Sequence, residues 1–344
     1  MLERFFKLKK KGTTVKTEVI AGITTFLAMA YILAVNPNML QETGLSYDGV
    51  FLATALSSGI ATLIMGLLAN YPVALAPGMG VNALFTYTLV FGMGYSPAAV
   101  FYGLIITAVV GVILGLCGIA GMPEVPSAII SFDLDTSGFG IFMNGFGELF
   151  SHPDCIVALF SLLFVDFFDT AGTLISVANK TNLVDKNGEL ANIEQALIAD
   201  STGTVIGGIL GTSTVTSFVE STAGVEAGGR TGLTACTTAV LFFLSIFFAP
   251  VLSVVTNAVT APALIAVGIS MATQLGGIEW DDIVFAAAGF ITVIMMVLTY
   301  SISDGIAFGF IVYGLTSAIA GRAKDIKPIV WVLILVFIAY FALI

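Results

Sequence analysis

"YPVALAPGMGVNALFTY", residues 71–87, is apolar enough to sit in a bilayer but cannot cross it as one helix. Pro72 and Pro77 each remove a backbone donor and crowd the preceding turn, and Gly78 and Gly80 add backbone freedom that a helix must give up. A second stretch of this kind is "GTSTVTSFVESTAGVEAGGRTG", residues 211–232, rich in Gly, Ser and Thr with Glu220 near its middle. Irregular backbone at membrane depth survives only where protein buries it or where it lines a wet cavity. One interrupted segment in each half of a chain is the pattern of transporters built from inverted repeats, whose half-helix ends converge near the midplane. Close helix packing by small residues is the plainer explanation. It needs neither the prolines nor a carboxylate, so a ligand site between the two segments is the stronger expectation.

The composition places these segments in a membrane. Of 344 residues, 58% are hydrophobic and 10% charged, with a mean hydropathy of +1.04. Soluble domains carry about 25% charged residues. Apolar runs of spanning length recur at 18–35, 50–69, 97–118, 156–178, 235–255, 283–299 and 329–344. The expected fold class is an all-α polytopic membrane protein whose partner is the lipid bilayer.

Six of the twelve basic residues, Arg4, Lys7, Lys9, Lys10, Lys11 and Lys16, precede the first span. The positive-inside rule makes that end cytoplasmic, and topology explains the charges better than a nucleic-acid partner does. Cys117, Cys155 and Cys236 are scattered and His152 stands alone, so neither a disulfide framework nor a metal site is expected. No nucleophile–base pair or cofactor fingerprint occurs, which argues against an enzyme and against a cofactor.

"FVDFFDTAGT", residues 164–173, holds Asp166 and Asp169 on one helical face inside an apolar run. An aspartate at the bilayer centre costs roughly 2.5–3.5 kcal/mol on insertion scales. No Lys or Arg occurs from 17 to 179 to offset it. The groups must face water, carry a proton or accept hydrogen bonds from a ligand. A helix cap or a polar clasp between helices is the structural alternative. Glu220 is the natural counterpart, able to accept from the ring N–H groups of a planar heterocycle. Asn82 offers both donor and acceptor to a ligand's edge. Asp200, in "ALIADSTGT", is either an interfacial cap or part of a proton path. Glu226 and Arg230 are expected at a membrane surface around a tight glycine turn.

At these residues the chain resembles the hypoxanthine–guanine–adenine permease branch of the xanthine/uracil (nucleobase–ascorbate) transporter superfamily. The matching stretches are "GTTVKTEVIAGITTFLAMAYILAVNPNML", "YPVALAPGMGVNALFTYTLVFGMGY", "FVDFFDTAGTLISVA", "LGTSTVTSFVESTAGVEAGGRTGLTA" and "TAPALIAVGISM". The resemblance implies two inverted repeats, each contributing to a core domain with the substrate site and to a gate domain. It implies proton-coupled uptake of purine nucleobases into the cell across the plasma membrane. It places substrate contacts on Asp166 or Asp169, on Glu220 and on Asn82, with Gly80 allowing close approach. The carboxyl chemistry itself makes Asp169, Asp166, Glu220 and Asp200 the proton-coupling candidates. The expected organisation is a basic amino terminus (1–17), a shortened first repeat (18–118), an acidic loop (119–155) and a second repeat (156–344), with core helices to about 255 and gate helices after.

The chain departs from that family in length. Between "FGMGYSPAAV" and the paired aspartates a single apolar run stands where four spans are expected, so part of the first core and gate is missing. A homodimer supplying the missing helices and a chain that binds purines without transporting them are both open. Ala288 and Val297 stand where prolines are expected, which predicts a straighter gate helix. Counting spans from an inside amino terminus also puts the acidic loop inside, against the positive-inside rule.

Overall fold

A computed structural model describes residues 2–41, 44–78, 130–143, 166–167, 170–174, 177, 190, 192–252, 275–276, 278–299 and 302–343. They belong to two compact units, Met1–Gly145 with Phe168–Met271, and Phe146–Phe167 with Ala272–Ile344.

The first unit begins with a short α1 (Leu2–Phe6), then α2 (Val15–Met29) and α3 (Ile32–Leu40). The Thr14 side chain starts α2 by accepting from Thr17 N at 3.2 Å, the usual service of an N-cap threonine. Between α2 and α3 the backbone tightens at Ala30 and Tyr31, whose carbonyls accept from Leu33 N and Ala34 N. Helix α4 (Tyr47–Ile64) ends in a π-turn, Met65–Ala69. Asn70, left-handed at φ 55°, then turns the chain into strand β1 (Leu75–Pro77). Further along come α5 (Ile193–Leu210), β2 (Val215–Ser217), α6 (Ser221–Glu226) and α7 (Gly232–Ser245).

The two interrupted segments meet as a pair of short strands. β1 and β2 are antiparallel, with Leu75 opposite Ser217, Ala76 opposite Thr216 and Pro77 opposite Val215. Gly78 N donates to Thr214 O at 3.1 Å and Phe218 N to Ala74 O at 2.9 Å, one further bond at each end. Non-helical backbone cannot be left unpaired in an apolar interior, and each segment supplies what the other lacks. Side chains alternate across the pair. Val73, Leu75 and Val215 pack with Met65, Tyr71 and Leu174. Ala74, Ala76 and Phe218 pack with Leu33, Phe51 and Phe242.

Each strand is also tied to the helix before it by one threonine. Thr62 Oγ1 donates to Leu75 O at 3.0 Å and accepts from Leu75 N at 2.8 Å. Thr204 Oγ1 treats Val215 the same way, at 3.1 and 3.2 Å. The residues just before them, Ala61 and Gly203, touch: a Cβ on Gly203 would lie 2.7 Å from that of Ala61. The same device is built twice in opposite directions, which is the local two-fold of an inverted repeat.

The ends of this unit carry opposite charge. At one end Phe6 and Leu8 pack on Leu233 at the start of α7, and Asn70 joins Phe6 O to Gly232 N. At the other, Ser131 N donates to Phe247 O beyond α7, Gly140 N donates to Ile209 O near the end of α5, and Ser46 binds Asp135. The Ser46 hydroxyl and the Ser137 backbone N–H hold the Asp135 carboxyl below its ordinary range. Among the described residues of this unit, Arg4, Lys7, Lys9, Lys10, Lys11, Lys16 and Arg230 lie at the first end and outnumber Glu3, Glu18, Glu194 and Glu226 there, while Asp48, Asp133 and Asp135 lie at the second. The described part of the acidic loop therefore lies opposite the basic amino terminus, which corrects the span count. Residues 79–129, over which that count ran, lie outside the described residues.

The second unit holds α8 (Ile283–Thr299), α9 (Ile302–Ile319) and α10 (Pro328–Leu343). Helix α8 is unbroken over the positions where prolines were expected. Gly305 and Gly309 on α9 admit Thr292 of α8 at close range, as small residues do between membrane helices. Arg322 pairs with Asp282 and lies 5.8 Å from the Phe285 ring centroid.

Helices long and apolar enough to span occupy Val15–Asn38, Tyr47–Ala69 and Gly232–Val251, with shorter apolar ones at Ile283–Thr299, Asp304–Ile319 and Pro328–Ala339. Helices α5 and α9 are absent from the apolar runs of the sequence analysis. Asp200 and the six glycines of α5 and α9 (Gly203, Gly207, Gly208, Gly305, Gly309, Gly314) dilute their hydropathy, yet the glycines facing a neighbour are what let these helices approach it. The runs at 97–118 and most of 156–178 lie outside the described residues.

Candidate functional site

Glu220 stands between β2 and α6, immediately before the helix, and is fully buried. Its Oε1 accepts from the Tyr31 hydroxyl at 2.7 Å, and Tyr31 stands at the interruption between α2 and α3. The adjacent Ser221 Oγ accepts from Ala74 N at 2.9 Å, on the first broken segment. The carboxylate is thus held between both interrupted segments and the break in the first span. A charge-assisted bond from a phenol fixes a carboxylate better than a neutral one does.

Asp200 is not interfacial. It lies within α5, 4% exposed, and reaches the same strand from the side. Its Oδ1 accepts from Thr170 Oγ1 at 2.5 Å and from Ser217 Oγ at 3.4 Å. Thr170 Oγ1 in turn accepts from Ser217 N at 3.2 Å. One carboxylate therefore ties α5, the helix that follows Asp169 and the last residue of β2 into a closed network. An interior dielectric makes such networks strong when complete and costly when broken.

Asp166 is helical, 9% exposed, and belongs to the second unit. Gly80, Asn82 and Asp169 lie outside the described residues. Glu226 and Arg230 flank a glycine turn, as expected, with Gly228 at φ 106°. Arg230 turns inward and caps α6, donating to Gly229 O at 2.6 Å and to Val225 O. The small residues of 211–232 also pack closely. A Cβ on Gly224 would overlap Thr25 Oγ1 and lie 2.7 Å from Ala21 O.

Further buried polar groups escaped sequence reasoning, among them Asn36 and Glu18. Asn36 Nδ2 donates to Thr54 Oγ1 at 2.8 Å and to Thr212 Oγ1 at 2.7 Å, holding the turn before β2. Glu18 is fully buried and accepts from Arg230 N, from the N–H and hydroxyl of Thr231 and from those of Thr234. It anchors the amino-terminal turn of α7, where a negative charge also meets the helix dipole. The available signal was a polar residue inside an apolar span, which faces the protein interior by default.

Known proteins resemble this chain along its length. The guanine/hypoxanthine permease PbuG of Bacillus subtilis is 38% identical over 437 positions, covering 99% of each chain. The adenine permease AdeP of Escherichia coli is 35% identical over 423, covering 98% of this chain and 95% of its own. Both alignments exceed the 344 residues present, so part of each relative stands opposite a gap. The transmembrane domain of the cyanobacterial bicarbonate transporter BicA superposes with a TM-score of 0.45 at 13% identity, covering 85% of this chain and 97% of its own. The model of the Permease family (Xan_ur_permease) matches residues 16–132 and 129–308. With two broken segments paired at its core and this match over most of its length, the chain belongs to the xanthine/uracil permease family, a family of membrane transporters and not of enzymes.

Proposed function

We propose that the protein carries purine nucleobases (hypoxanthine, guanine or adenine) into the cell, with a proton accompanying the base. The observation that carries this is Glu220, a buried carboxylate fixed at the strand crossing by Tyr31 and flanked by the first broken segment. A purine presents a ring N–H, joined in guanine by the neighbouring exocyclic amine, from which a carboxylate can accept. Relatives named guanine/hypoxanthine and adenine permeases support that class of substrate. Asn82, with Gly80 allowing close approach, reads the other edge of the base in this proposal. Asp166 and Asp169 contribute the remaining contacts and carry the proton. Asp200 acts on the site through Thr170 and Ser217. The basic end faces the cytoplasm.

Uptake of radiolabelled hypoxanthine into proteoliposomes under an inward proton gradient tests the proposal. E220Q and D169N should each abolish uptake while the protein stays folded; undiminished uptake in both defeats the roles assigned. A second reading is favoured by the gap against the longer relatives. In it the chain binds purines but lacks a complete gate, and binding of hypoxanthine without flux in the same vesicles would establish it.

A further inference from the structure

The amino-terminal residues fold back on the protein instead of trailing from it. Phe6 and Leu8 are buried with Leu233. Leu8 N donates to Glu3 O at 3.2 Å and Thr13 N to Leu8 O at 3.1 Å. Asn70 Nδ2 holds Phe6 O at 3.3 Å. Left-handed reversals at Lys7 (φ 57°) and Gly12 (φ 70°) bend the segment twice. Its cations are consequently set on a fixed surface. Arg4, Lys7, Lys9 and Lys10, with Glu3, line an open depression of about 490 Å³. Beside it Leu2 and Phe5 are 49% and 57% exposed. Glu3 answers Lys9 at 3.2 Å, and the next acid in sequence, Glu18, is buried against α7. The cations crowd one another: burial, then Lys10 and Lys7, push the Lys11 ammonium below its ordinary range.

We propose that this docked segment, residues 2–16, binds the phosphate headgroups of anionic lipids. Its cations surround a headgroup, and Leu2 and Phe5 enter the acyl boundary. A topology signal needs only charge beside a span. An ordered basic surface with exposed apolar side chains, directly before a spanning helix, is the composition of an interfacial anchor. The segment lies at headgroup level because α2, beginning at Val15, leads straight into the apolar run at 18–35.

Thermal unfolding of the full chain in neutral detergent tests this independently of transport. Phosphatidylglycerol should raise the midpoint, and neither phosphatidylcholine nor inorganic phosphate should match it. K7Q/K9Q/K10Q/K11Q should require roughly tenfold more phosphatidylglycerol, or beyond, for the same shift. The corresponding four-arginine variant should keep the response, and L2S/F5S should weaken it. An equal response to phosphatidylcholine overturns the proposal, as does an unchanged response in the four-glutamine variant. A full response to inorganic phosphate overturns it too, marking a site for free anions.

Discussion

Thr170 and Asp200 share a 2.5 Å hydrogen bond across thirty positions of sequence, and Ser217 closes the network from the strand crossing. D200N keeps an acceptor at Oδ1 and should stay folded, with a loss of about 1 kcal/mol or less. D200A leaves Thr170 and Ser217 buried without it and should cost about 2–3 kcal/mol. Chemical unfolding in detergent measures both. If D200N nonetheless loses the pH dependence of uptake while folded, Asp200 moves a proton instead of positioning Ser217.

Gly224 allows α6 to lie on α2. G224A places a Cβ against Thr25 Oγ1 and 2.7 Å from Ala21 O, so α6 must shift and Glu220 at its start must shift with it. Overpacking of this kind costs about 1–3 kcal/mol. T25A should recover only part, because the Ala21 carbonyl remains in place. A double-mutant cycle on unfolding midpoints checks the coupling.

Glu18 is an anchor, not a carrier. E18A strands the donors of Arg230, Thr231 and Thr234, and a buried donor left unsatisfied costs about 1–3 kcal/mol. E18Q should retain part of that stability. Thermal unfolding should therefore rank wild type above E18Q above E18A. Equal midpoints for all three would show that α7 does not depend on this carboxylate.

The acidic and basic ends should label from opposite sides of the membrane. A cysteine at Lys9 should react only with a permeant reagent in intact cells, and one at Ser137 with an impermeant reagent as well. Same-sided labelling would contradict the placement of Asp135 beside Ser46.

Arg322, with the Val284 N–H assisting, holds the Asp282 carboxyl below its ordinary range. A depressed folded value gives stability that is present above the unfolded pKa, about 3.9, and lost as pH falls through the folded value. R322Q should therefore be less stable than wild type at neutral pH, with the difference closing as the solution is acidified below about pH 4. Both tryptophans, Trp280 and Trp331, lie in this unit near the pair, so their fluorescence reports it.

Membrane residence and two broken segments were legible because they depend on local chemistry. Hydropathy is a sum over neighbours in sequence, and Pro72, Pro77 and the glycines disrupt a helix wherever they occur. The sequence alone also brought forward Asp200, although not its setting. Only the tertiary structure decided that residues 75–77 pair with 215–217, that Thr62 and Thr204 repeat one contact, and that Asp133 and Asp135 lie opposite the basic end. It also separated two buried glutamates, one anchoring α7 and one at the crossing. The physical reason is that a polar group in an apolar interior must find its partner wherever the fold brings one, and Glu18 finds its partners more than 200 positions away.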